Sequence, residues 1–384
     1  MPRTRTLAFA AAGVTVAALL TALNVVKAAP ATAAACGELF DDFSYSSSAD
    51  PSLTAHGWSA RSNAGGPGIP GATWAPENIT FPTVDGDKVA QLASSTDGTA
   101  GGTKQTELLQ NQLRFFEGTY ATRIKFADAP VTGADGDRVN QTFFTISPLR
   151  FDNDPIYSEL DISEYLPNGG WGEPVWPVDF ETSWNTYQLD PWVSKNKFDK
   201  QTRSFAGWHT LVATVGSGHV KYYIDGTQVG DHSTINVGGQ DLSVYPRQNM
   251  SINFNQWFID LTQHTGGLAM YQEQVDWVYY AKSQVRTPTD VVSQAATFRT
   301  SGVKFKDDLS GSCGTPPPTS SSTTTSSSTP QPPANCSAAA EWDWGTVYLE
   351  GQRVKHNGHL WQARWWTQGS EPGPTAQWQD LGPC

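Results

Sequence analysis

Histidine and cysteine are scarce in this chain, and their spacing is wrong for a metal centre. Seven histidines are spread over 384 residues, and Cys36, Cys313, Cys336 and Cys384 form no close pair of the kind a zinc site requires. Charge is scarce as well. Only 16% of residues are Asp, Glu, Lys or Arg, and basic residues are outnumbered 25 to 37. The resulting net charge of −12 argues against nucleic acid and against anionic lipid as partners. Helical periodicity is confined to Thr289–Phe298, where Pro288 supplies a start signal. Aromatic residues, by contrast, are abundant, with 15 Trp, 12 Tyr and 17 Phe. Few charges with many aromatics suit an all-β protein that handles neutral carbohydrate outside the cell.

Arg3 and Arg5 precede an apolar stretch that runs to Val26 and gives way to small residues before Cys36. Residues 1–35 therefore read as a secretory signal peptide, with small-x-small cleavage sites after Ala33 or Ala35, and not as a membrane span of the mature protein. No twin arginine is present, so general secretion is expected. Ala33-Ala34-Ala35 lacks the leucine that would favour a lipid-modified Cys36. Without the signal the chain keeps 22 basic and 37 acidic residues, and 22 − 37 gives −15. In an oxidising compartment the four cysteines should be paired, and three pairings are possible. The economical one is Cys36–Cys313 with Cys336–Cys384, because each pair then brackets one block.

Those blocks are separated by residues 314–335, which contain TPPPTSSSTTTSSSTPQPPAN. This segment has no aliphatic core residue and is dominated by Pro, Ser and Thr, so it reads as an extended linker open to O-glycosylation. Block 36–313 reads as many short strands between Gly, Pro, Asn and Asp turns: Thr119–Phe126, Asn140–Ser147, Ser158–Tyr165, His209–Val215, Val220–Ile224, Asn249–Phe254 and Val275–Tyr280. Asp225-Gly226 is a hairpin signal. The fold class expected is all-β: a jelly-roll (concanavalin A-like) sandwich of two antiparallel sheets. Block 336–384 is too short for a hydrophobic core alone and needs its disulfide. Trp342, Trp344, Trp361, Trp365, Trp366 and Trp378 exceed what so small a core can use, which implies exposed rings that stack on sugars.

The most informative stretch is Glu159-Leu160-Asp161-Ile162-Ser163-Glu164. On a strand, Glu159 and Asp161 share one face while Leu160 and Ile162 point to the core. Strict alternation would bury Glu164 with the apolar set, and a β-bulge at Ile162-Ser163 returns it to the acidic face. Three carboxyls crowded there cannot all ionise freely, which is poor for stability and useful for acid–base chemistry. The plain alternative is an edge strand with a solvated acidic face.

This run resembles the bulged E-x-D-x-x-E signature of glycoside hydrolase family 16, the laminarinase, agarase and carrageenase clan. Gly118-Thr119-Tyr120-Ala121-Thr122-Arg123-Ile124-Lys125, Gly207-Trp208-His209-Thr210, Lys221-Tyr222-Tyr223-Ile224-Asp225-Gly226 and Val275-Asp276-Trp277-Val278-Tyr279 resemble its flanking strands, so the likeness covers roughly residues 40–282. It implies a retaining double displacement in a concave cleft, with Glu159 as nucleophile, Glu164 as acid/base and Asp161 as the assisting carboxylate between them. A retaining pair requires carboxyls about 5–5.5 Å apart, which neighbours on one bulged strand can supply. Upstream the chain departs from the family: Gln141-Thr142-Phe143-Phe144-Thr145-Ile146 stands where many members carry W-P-x-x-W. Trp171, Trp184 and Trp257 are candidates for sugar stacking, with core burial as the competing reading, and Asn253 and Asn255 for bonding sugar hydroxyls. His209 matches a family position and reads as structural. No metal ligands are visible and no cofactor is expected; a structural calcium held through backbone oxygens would leave no trace in the sequence.

The C-terminal block resembles the chitin-binding modules of carbohydrate-binding families 5 and 12, through Val347-Tyr348, Gly351-Gln352-Arg353-Val354, His356-Asn357-Gly358, Leu360-Trp361-Gln362-Ala363 and Arg364-Trp365-Trp366-Thr367-Gln368-Gly369. Trp342, Trp365 and Trp366 match its chain-binding aromatics, and cellulose is the sibling ligand. The expectation is a secreted monomeric endo-β-glucanase that acts on β-1,3-glucan and docks on chitin, two polymers that occur together in fungal walls. A transglycosylase, a hydrolase of mixed-linkage glucan, chitosan or galactan, and a carbohydrate-binding protein without turnover are the alternatives.

Overall fold

The computed structural model describes residues 37–309, 336, 339–343, 348, 351–363, 372 and 378–384. The signal segment, the linker, Cys36, Cys313, Trp344, Trp365 and Trp366 lie outside them. The chain splits into two compact units, Met1–Pro316 and Pro317–Cys384.

In the larger unit, two antiparallel sheets face each other. One, the site sheet, has the spatial order Trp58–Ala60, Lys104–Gln110, Ser251–Asp260, Arg138–Ile146, Glu159–Leu166, Val178–Gln188, Val193–Gln201. The back sheet runs Phe305–Asp307, Glu38–Asp41, Ala269–Lys282, Gly118–Phe126, Gly207–Gly216, His219–Ile224, Thr227–His232. Ala90–Thr96 pairs with the first half of Ala269–Lys282, and through Ser95 opposite Lys104 the two sheets join into one 17-stranded surface. This is the jelly-roll sandwich expected from the strand pattern. The expected strands recur with ends shifted by a residue or two, except that Val275–Tyr280 lies inside the longer Ala269–Lys282 and Asn249–Phe254 is replaced by Ser251–Asp260, which starts two residues later and runs six further.

Period-two patterning explains the layers. Phe143, Leu160, Ile162, Tyr165 and Phe254 of the site sheet interleave with Tyr120, Ile124, Leu211, Val220 and Val278 of the back sheet in a single buried cluster. Phe143 and Phe254 stack at 5.0 Å. Burying each large side chain stabilises the sandwich by about 1.5–3 kcal/mol. Asp225 and Gly226 both take positive φ, 49° and 81°, as a two-residue hairpin of the I′ type demands. The predicted helix is present as Pro288–Thr300, with Pro at its start and a capping box between Thr287 and Asp290. Val291, Ala295 and Phe298 fall on one helical face and pack on Phe40, Trp277 and Tyr279, covering the outer side of the back sheet.

The smaller unit pairs Ala340–Glu341, Arg353–His356, His359–Ala363 and Trp378–Pro383. Tyr348, Val354, Ala363 and Trp378 form its core, with Trp342 and Trp361 partly buried against it. Cys336 is bonded to Cys384, as the bracketing argument expects. Trp378 is thus a core residue and not a surplus ring.

Candidate active site

Glu159–Leu166 is an internal strand, paired on both sides, so the edge-strand alternative does not hold. The bulge lies where the sequence demands it. Against Arg138–Ile146 the register runs Glu164–Thr142 and Ser163–Phe143, then skips Ile162 to Asp161–Phe144. Against Val178–Gln188 it jumps from Asp161–Thr182 to Glu164–Phe180, leaving Ile162 and Ser163 opposite Glu181. Leu160, Ile162 and Tyr165 stay in the core, and the hydroxyl of Ser163 donates to Asp179 Oδ1 at 2.6 Å. Glu159, Asp161 and Glu164 are therefore left together on the other face.

Cross-strand partners share a face, so the ladder assigns the surroundings in rows. Glu159 lies between Ile146 and Trp184. Asp161 lies between Phe144 and Thr182, with Asn253 and Phe198 beyond. Glu164 lies between Thr142 and Phe180, with Asn255 beyond Thr142. Trp257 stands opposite Asn140 in the next row. Each acid has a donor of its own: the Tyr157 hydroxyl donates to Glu159 Oε2, Trp184 Nε1 to Asp161 Oδ2 at 2.7 Å, and Asn140 Nδ2 to Glu164 Oε1 at 3.0 Å.

Asp161 is buried, whereas Glu159 and Glu164 each keep a part-exposed edge. Protein atoms nevertheless surround all three closely enough for loss of water to dominate their titration. Burial pushes the Asp161 carboxyl up to about 7, against the lowering bond from Trp184. Burial and then the charge of Asp161 hold Glu159 well above the ordinary range, with the Tyr157 bond opposing. Glu164 is raised by burial, then by Asp161 and Glu159, with Asn140 opposing. Such a trio holds protons at neutral pH that isolated carboxyls would have lost.

Rings flank the acids at both ends. Beside Glu159, Trp184 meets Tyr187 at 5.7 Å and Trp192 at 6.2 Å. Beside Glu164, Phe180 meets Trp171 at 5.8 Å and Phe198 at 5.6 Å, and Trp171 meets Trp257 at 6.0 Å. Trp171 and Trp192 are 48% and 60% exposed, which leaves ring faces open to a ligand. Trp184 and Trp257 are half-buried. Asn253 and Asn255 are on the site face but only 1% and 3% exposed, and their amides are engaged: Asn253 Nδ2 donates to Ser251 Oγ, and Asn255 Oδ1 accepts from Thr142 Oγ1 at 2.6 Å. His209 holds Asp225 at 2.7 Å, far along the chain from the acids. Tyr157, Asn140, Phe180, Tyr187, Trp192 and Phe198 were not singled out by sequence reasoning. Only the alternation Phe180-x-Thr182-x-Trp184 carries a local hint of a shared face, and nothing local says that it borders the acids.

In the smaller unit, Trp342 packs edge-on to His356 at 5.1 Å, and Trp361 Nε1 donates to His356 O at 3.1 Å.

The fold and the site together define a two-layer β-sandwich with a hydrogen-bonded carboxyl trio between aromatic clusters, followed by a small disulfide-bonded β module. Comparison with known proteins places that module: residues 341–379 match the family model of carbohydrate-binding module family 5/12. Chitinase A of Pseudoalteromonas piscicida is 53% identical over 38 residues, which is 10% of this chain and 5% of that protein. Endoglucanase A of Evansella cellulosilytica is 45% identical over 51 residues, 13% of this chain and 10% of that protein. The chain thus shares only a small part of either relative. The larger unit is similar to a solved glycoside hydrolase family 16 endo-glucanase from Bacteroides ovatus, with a TM-score of 0.45 and 14% identity over 62% of this chain and 98% of that one. A likeness at that level says nothing of the reaction.

Proposed function

We propose that this protein is a secreted, retaining endo-β-glucanase that hydrolyses β-1,3-glucan and is held on chitin by its C-terminal module. The observation that carries the hydrolase reading is the bulge, which presents Glu159, Asp161 and Glu164 on one face, each with its own donor. Glu159 attacks the anomeric carbon while Glu164 gives its proton to the leaving glycosidic oxygen, forming a glycosyl ester on Glu159. Consuming the charge of Glu159 lowers the proton affinity of Glu164, which then takes a proton from water as that water attacks the ester. Asp161, held by Trp184, stands between the two, and its ionised form stabilises the oxocarbenium-like transition state as it passes.

The flanking rings support a polymer of pyranose units, whose apolar faces stack at about 1 kcal/mol or more per ring. Chitin as the docking surface rests on the match at 341–379 and on the likeness of 38 residues of the chain to a chitinase. Time-resolved proton NMR of laminarin digestion tests the mechanism. The first product anomer should be β, as in the substrate. Initial release of the α-anomer would mean inversion and would remove Glu159 as nucleophile.

A further inference from the structure

We propose that Asn140 is a positioning residue of Glu164: its amide donates through Nδ2 while Glu164 is ionised, and turns over to accept through Oδ1 when Glu164 carries the proton. The inference rests on the acid/base reading of Glu164 and adds a residue to it.

Asn140 is fully buried on the strand beside Glu159–Leu166, with Nδ2 3.0 Å from Glu164 Oε1. Its Oδ1 is buried and, among the described residues, has no hydrogen-bond partner. Native structures rarely leave a buried acceptor empty. Glu164 is a group that can fill it, because in a double displacement it gains and loses a proton in every turnover. A carboxamide carries a donor and an acceptor on one carbon, related by a half-turn. A lysine at 140 could bond only the ionised carboxyl, and an aspartate only the protonated one. The amide can hold Glu164 in both halves of the cycle, and the proton itself stays on Glu164 during the turn.

The surrounding charges do not do this work. Asp161 and Glu159 on the same strand and Asp179 on the next are carboxyls, and negative charge on any of them raises the proton affinity of Glu164. Glu273 of the back sheet accepts from the Thr142 amide beside it. The cations on neighbouring elements are paired elsewhere: Arg138 with Asp260, Lys200 with Glu173 and Arg61 with Glu107.

The test uses the full chain with labelled side-chain amide nitrogens and carboxyl carbons. The Asn140 amide resonances should shift with the same midpoint as the Glu164 carboxyl. In Asn140→Ala that midpoint should rise, because the charge-assisted bond to the ionised form is the stronger of the two lost. In Asn140→Asp it should rise further through like charge. In Asn140→Ala, kcat on laminarin should fall about ten-fold, the loss of one hydrogen bond to a charged group, with KM within about two-fold. An Asn140 amide signal that stays flat while Glu164 titrates, or a Glu164 midpoint unmoved in Asn140→Ala, overturns the proposal. If that variant does not fold, the wild-type resonances decide. Because they need no turnover, a protein that cleaves no glucan defeats the hydrolase reading and still leaves the role of Asn140 to be measured.

Discussion

At the scale of single residues, Asp161 is the group on which the other two depend. Its charge raises both Glu159 and Glu164, second only to burial. The proposed double displacement needs Glu159 ionised and Glu164 protonated, so kcat/KM should follow a bell between their midpoints. Raised midpoints place both limbs above those of ordinary carboxyls. In Asp161→Asn the raising charge is gone, both midpoints fall, and the bell should move to lower pH while its height drops by about ten-fold or more. A pH–rate profile of the variant checks this, and a bell that kept its position would remove Asp161 from the electrostatics of the pair. The grouping of the three acids is legible in the sequence because strand period and one bulge are local properties. Their donors are not. Tyr157 is close by in sequence but has no motif, and Asn140 and Trp184 reach the acids only through register.

At the scale of elements, the loop after Glu159–Leu166 sets one end of the site. Gly169 has φ 67°, and a Cβ there would lie 2.0 Å from the carbonyl oxygen of Pro174. Only glycine allows that approach, and the turn carries Trp171, itself at φ 50°, over Phe180 and Trp257. Gly169→Ala should shift the loop and raise KM for laminarin about five-fold, the loss of roughly one stacked ring, with the pH profile unchanged. Steady-state kinetics separates this from damage to the acids. Seven of the strands were readable from alternation between turns, as was the helix at Pro288 from its proline, whereas Lys104–Gln110, Val178–Gln188 and Val193–Gln201 of the site sheet were not named. The two aromatic clusters were only partly readable. Trp171, Trp184 and Trp257 stand out as tryptophans near the acidic run, but Phe180, Phe198 and Trp192 are ordinary strand and loop residues until pairing places them beside Glu164 and Glu159. Asn253 and Asn255 show the converse limit, since their position on the site face was legible but their burial was not.

At the scale of the whole molecule, the chain forms two compact units, and the proposed function puts catalysis in the larger and docking in the smaller. Removing 336–384 should leave hydrolysis of soluble laminarin within about two-fold and abolish retention on insoluble chitin, as measured by pull-down. Replacing both Cys336 and Cys384 by Ser should act on retention alone, because a core of Tyr348, Val354, Ala363 and Trp378 is too small to hold without their bond. The most direct measurement is release of reducing ends from laminarin by the full chain and by Glu159→Ala, set beside lichenan, chitosan, agarose and chitin. The prediction is turnover fastest on laminarin, a loss of at least about a thousand-fold in the variant, and unchanged binding to chitin. Turnover that survived Glu159→Ala, or no release from any β-glucan by the wild-type chain, would contradict it.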